Sequence, residues 1–127
     1  MEIQEAREII EQSIKDAGYD LRYSSGNHGR VYWDKKIAYV PFAKSRSTLY
    51  VLCHEASHVF WPKGSLRTFE NEYRSERKAH EYMRMFGFSV PLSQTQRAKE
   101  YVARRVRMSI RRGLKEKVSS EVRKFIK

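Results

Sequence analysis

A chain of 127 residues that contains one cysteine, Cys53, cannot close an internal disulfide, and this fits a reducing compartment. The expected location is the cytoplasm. Long apolar runs are missing too: the longest, "IAYVPFA", has seven residues, against the roughly 20 that a membrane-spanning helix needs. No membrane contact is expected. The opening "MEIQEAREII" is too acidic and too interrupted to be a secretory signal. Negative charge is scarce, with 15 Asp and Glu against 26 Lys and Arg and a formal net charge of +11. The imbalance is local, because residues 92–127 hold 12 Lys and Arg against three Glu, which leaves only +2 for the first 91 residues. Such asymmetry is the footprint of a polyanion partner such as nucleic acid, or else of a solvated helix surface that keeps a small protein soluble.

What is present reads as a single α+β domain. Ile3, Ala6, Ile9 or Ile10, and Ile14 recur at helical spacing and stop at Gly18, which predicts an N-terminal helix. Three short runs rich in aromatic and β-branched residues follow, "LRYS", "RVYWD" and "IAYVP", separated by the turn-like "SGNHG" and "DKK". They predict a short antiparallel β-meander. "KSRSTLYVLCHEASHVFWPKG" then reads as a helix with Ser45 or Ser47 as N-cap and with Pro62 and Gly64 beyond its end. A further helix is expected over residues 68–86, with Glu70 and Glu72 in the first turn, where the helix dipole favours acids. Residues 1–91 form the expected catalytic domain. Residues 92–127 form a basic helical extension packed on it, with a long helix from Ser93 and a shorter one carrying Leu114, Val118, Val122 and Phe125 on one side.

The chemistry concentrates in "HEASH". On a helix, His54 and His58 lie one turn apart on one face and can ligate one ion, with Glu55 beside them to touch ion-bound water. At about 100° per residue, Leu49, Leu52, Cys53, Ala56, Val59 and Phe60 share the core-facing stripe, and both histidines point nearly the opposite way. Cys53 is therefore packing rather than ligand. The following helix winds into a polar side, Glu70, Arg74, Arg77, Lys78, Glu81 and Arg84, and an apolar side, Phe69, Tyr73, Ala79, Met83 and Phe86. Glu76 falls in the middle of the apolar side, with Glu72 and His80 close by. A carboxylate there must be paired or bound to metal, since burying it bare costs several kcal/mol.

Histidine and carboxylate donors without thiolates suggest Zn2+ in an open, three-ligand site. Such an ion would bring its water's pKa near neutrality, and Glu55 would act as general base in hydrolysis of a peptide bond. Tyr73, His80 and Tyr82 are the nearest oxyanion-stabilising candidates in the sequence.

Over residues 29–91 the chain resembles the ImmA/IrrE family of small HExxH zinc metallopeptidases, which use a glutamate as third ligand in the gluzincin manner. The strand pair "RVYWDKKIAYVP" leads into "STLYVLCHEASH". The later "ERKAHEYMRMFGFSVP" resembles the family's Glu-x-x-Ala-(Asn/Asp)-x-Phe-Ala segment, with His80 where Asn or Asp is usual and Met83 where Ala is usual. The resemblance implies a zincin-like domain with His54, His58 and Glu76 as zinc ligands and Glu55 as base. It further implies an intracellular protein substrate, with repressors of mobile elements (phage among them) and DNA-damage regulators as examples. A rival resemblance, to DNA-associated SprT-like proteases, would make His80 the third ligand. In the tail, Arg97, Arg104, Arg107 and Arg111 form a basic stripe opposite Ala98, Val102, Val106 and Ile110. Such a stripe could bind nucleic acid, and a nucleic-acid-binding module with a non-catalytic zinc is the remaining alternative.

Overall fold

A computed structural model describes residues 1–115 and 117–127. Among these the elements are α1 (Ile3–Asp16), β1 (Asp20–Tyr23), β2 (Arg30–Tyr32), β3 (Ile37–Val40), α2 (Arg46–Phe60), α3 (Thr68–Met85), α4 (Leu92–Arg111) and α5 (Ser120–Phe125). The fold is mixed α+β. No helix among the described residues is long and apolar enough to cross a membrane.

The sheet departs from the expected meander. Its order is β1-β3-β2, with β1 parallel to β3 and β2 antiparallel to it. Strand composition explains why. The central position must be apolar on its packed positions, and "IAYV" meets that demand, with Ala38 and Val40 wholly buried. A meander would have centred β2, whose Arg30 is exposed here at the sheet edge. The chain from β1 to β3 runs through β2 itself, and the hairpin turn between β2 and β3 puts Lys36 at a left-handed φ of 54°.

α1 buries Ala6, Ile10 and Ile14 against the sheet and α2. α2 begins where Ser45 accepts a hydrogen bond from the Thr48 amide at 3.2 Å while Thr48 Oγ1 accepts one from the Ser45 amide at 3.0 Å, a reciprocal cap. Its stripe of Leu49, Leu52, Cys53, Ala56 and Val59 is buried, and Phe60 packs at the margin. α3 serves two cores. Ala79 and Met83 join the first, whereas Phe69 packs with Val102, Val106 and Val122 in a second, which Leu114, Val118 and Phe125 border. Of the four apolar residues expected to face inward on α4, Ile110 is instead exposed, because the second core ends one turn earlier at Val106. The expected final helix from Leu114 is confined to α5 among the described residues.

Candidate metal centre

α2 and α3 are joined by residues 61–67 and run antiparallel, so their side chains meet in a ladder of one-turn steps. His58 meets Asn71 and Ser75, His54 meets Glu72 and Glu76, and Tyr50 meets Glu76 and His80. Arg74 fixes this alignment by donating from Nη2 to the carbonyls of Trp61 (2.8 Å) and Pro62 (2.9 Å), the open end of α2.

The ladder brings three ligand atoms together. His54 Nε2 and His58 Nε2 are 3.0 Å apart, and the Glu72 carboxylate lies 3.2 Å from the first and 3.5 Å from the second. A tetrahedral zinc with bonds of about 2.0–2.1 Å requires ligand atoms roughly 3.3 Å apart. The donor triangle of His54, His58 and Glu72 therefore fits a metal ion.

Glu76, expected as the third ligand, lies behind this triangle. Its Oε1 is 2.6 Å from His54 Nδ1, the ring nitrogen facing away from the triangle, and its Oε2 accepts a hydrogen bond from the Tyr50 hydroxyl. His58 Nδ1 is likewise occupied, with Ser75 Oγ at 3.2 Å and Asn71 Nδ2 at 3.5 Å. Both imidazoles thus turn Nδ1 to the back, that of His58 toward Ser75 and Asn71 and that of His54 beside the Glu76 carboxylate without a well-aligned hydrogen bond, and present Nε2 forward, as metal-ligating histidines do. His80 stands another layer out. Its Nδ1 lies 2.7 Å from the Glu76 carbonyl, and its Nε2 lies 3.4 Å from Thr95 Oγ1, so it does not reach the triangle.

The charges follow from this packing. Burial opposes a proton on His54, but the carboxylates of Glu76, Glu72 and Glu55 outweigh it and raise its pKa well above the ordinary imidazole value. Burial would raise Glu72, yet hydrogen bonding to both histidines prevails and holds it well below the usual carboxylate range. Burial lifts Glu55 above its usual value, with His54 and His58 pulling the other way. Tyr50 is raised by burial and then by Glu76, so its hydroxyl stays protonated and remains a donor. Cys53 is buried and free, its thiol pushed up to about 12 by burial, which makes it inert packing.

Glu55 is buried beside the triangle, and its Oε2 has no hydrogen-bond partner among the described residues. Gly29, just before β2, makes room for it: a Cβ there would lie 2.6 Å from the Tyr39 carbonyl oxygen and 2.7 Å from Glu55 Cγ. Trp33 anchors the same edge by donating to the His58 carbonyl at 2.7 Å. Glu55 and the triangle line a cleft of about 640 Å³ whose far wall is α4, through Gln94, Arg97, Tyr101 and Arg105.

Several of these features lie outside the sequence reading. Tyr73, Tyr82 and His80 do not line the cleft. Tyr73 packs on Phe125, and Tyr82 lies by Trp61. Tyr101 faces the cleft instead, its hydroxyl accepting from Arg105 Nε at 3.2 Å and Nη2 at 3.0 Å. All four arginines of the expected basic stripe are exposed, and of them only Arg97 borders the cleft. Comparison of the chain with family models, with curated proteins and with solved structures gives no match.

Proposed function

We propose that the protein is a zinc-dependent metallopeptidase of zincin-like architecture that hydrolyses peptide bonds of a protein substrate. The observation that carries this reading is the convergence of His54 Nε2, His58 Nε2 and the Glu72 carboxylate within 3.5 Å of one another, beside a buried carboxylate without a partner and at the floor of an open cleft. His54, His58 and Glu72 would hold the ion, with Glu72 standing one turn earlier than the resemblance to the ImmA/IrrE family implies. A zinc ion bound by three such donors lowers the pKa of water to near neutrality and polarises a carbonyl oxygen.

The chain's own residues supply the rest. Glu55, desolvated and unpaired, accepts the proton of the attacking water and returns it to the departing amine. Glu76, held by Tyr50, and Ser75, held against His58, keep both rings turned forward so that the ligand atoms need not reorganise.

The experiment is hydrolysis of casein, an unfolded generic polypeptide, by purified protein with one equivalent of zinc. Wild type should cleave it, and Glu55→Gln should lose cleavage while keeping its metal. Equal cleavage by the two proteins would remove Glu55 from its role, and no cleavage by either would favour a non-catalytic metal in a nucleic-acid-binding module. The exposed Arg104, Arg107 and Arg111 on α4 are the feature that suits that second reading.

A further inference from the structure

The charge on the cleft walls is opposite to that on its floor. The three carboxylates that line it, Glu55, Glu72 and Glu76, gather at the histidines, while Arg30, Lys63, Arg97 and Arg105 line the space around them. None of these four cations makes an ion pair with a carboxylate among the described residues, whereas Arg7, Arg22, Arg77 and Lys78 elsewhere do. The cations come from separate elements: Arg30 from β2, Lys63 from the α2–α3 connection, and Arg97 and Arg105 from α4. Folding brings four separated cations to the border of one space, none of them in an ion pair among the described residues.

A second observation concerns the shape of what fits. Gly29, Arg30 and Val31 all line the cleft, yet successive side chains of a strand point to opposite faces, so the cleft must meet this segment along its edge. The sheet order leaves that edge of β2 free of a partner strand. Backbone donors and acceptors alternating along an open edge are satisfied by another extended polypeptide. A nucleic acid strand carries no run of backbone amides and carbonyls to pair with such an edge, so the open edge favours a polypeptide.

We propose that the cleft takes an extended acidic segment of a polypeptide, laid along the free edge of β2, with its carboxylates paired to Lys63, Arg97 and Arg105. This deepens the peptidase reading by naming its substrate class, and it rests on that reading only for the fate of the bound segment.

Fluorescence anisotropy with the Glu55→Gln protein tests it. The probes are a fluorescein-labelled decapeptide with glutamates flanking a central Ala-Leu pair, its lysine counterpart, and single-stranded oligothymidylate of equal charge. The acidic peptide should bind on the order of tenfold more tightly than either of the others. Arg97→Gln should weaken it several-fold, whereas Arg107→Gln, on α4 but outside the cleft, should not. Tighter binding of the oligonucleotide, or equal losses in the two arginine variants, would overturn the proposal. Zinc-loaded wild type supplies the independent arm. Binding of the acidic peptide without cleavage would sink the peptidase reading and leave this inference standing. Cleavage of neutral and acidic peptides at equal kcat/KM would do the reverse.

Discussion

Glu72 and Glu76 lie one turn apart on one helix, and only the position of each along the facing helix separates the carboxylate that joins the donor triangle from the one that backs it. Glu76 spans His54 Nδ1 and Tyr50, whereas Glu72 spans the two Nε2 atoms. Glycine also matters at this scale. Gly29→Ala would press a Cβ on the Tyr39 carbonyl and on Glu55, and overpacking of this kind costs about 1–3 kcal/mol. The expected outcome is a lower melting temperature together with a fall in hydrolysis larger than the lost stability explains; unchanged melting would show that the edge gives way freely. Proton linkage provides another prediction. The folded pKa of His54 is raised, so in the metal-free protein its charged pairing stabilises fully below the unfolded value, near 6.5, and that contribution is lost as pH rises through the folded value. Glu72 is depressed, so its contribution is present above the ordinary carboxylate pKa and is lost only in strong acid. Metal-free protein should therefore melt lower as pH is raised above neutrality. Zinc uptake should release protons and strengthen over the same range, because the metal displaces the proton on His54. Calorimetric titration in buffers of different ionisation enthalpy reads that release, and uptake without proton release would contradict it.

At the scale of elements, the helices were legible because each announces its face. The stripe of α2 and the divided faces of α3 predict which side meets which, and the structure buries those sides. Two things were not legible. Angular position tells which face of α3 turns toward α2 but not which turn lies opposite His54; the connection of residues 61–67 and the hold of Arg74 on Trp61 and Pro62 set that axial alignment. Glu76 is therefore central by angle on α3, while Glu72 completes the donor triangle. Likewise, three short apolar runs do not state their order, and the competition among them for the sheet centre decides it. Arg74→Met keeps the apolar stem and removes the guanidinium from two carbonyls, a loss of about 2 kcal/mol. Denaturant melts should show that loss, and zinc affinity should fall with it as α2 slips on α3. Reduced stability with unaltered affinity would mean that Arg74 caps α2 without setting its alignment.

Across the whole molecule, α3 joins two cores, and the basic α4 turns from an appendage into the far wall of the cleft. Charge counting locates the excess in residues 92–127 but does not say that Arg97 and Arg105 line the same cleft as the histidines, because no local pattern encodes how α4 packs on α3. An ion held by both α2 and α3 would stabilise the entire fold, since the unfolded chain cannot assemble the same donors. Equilibrium dialysis of zinc against wild type, Glu72→Gln and Glu76→Gln, read as stoichiometry alongside the melting temperature, addresses the donor triangle directly. Wild type should take up one equivalent and melt higher. Glu76→Gln should still bind one equivalent, on the order of 10–100-fold more weakly. Glu72→Gln should lose stoichiometric binding and the gain in melting temperature. Retention of a tight equivalent by Glu72→Gln, or no uptake by wild type, would contradict the account.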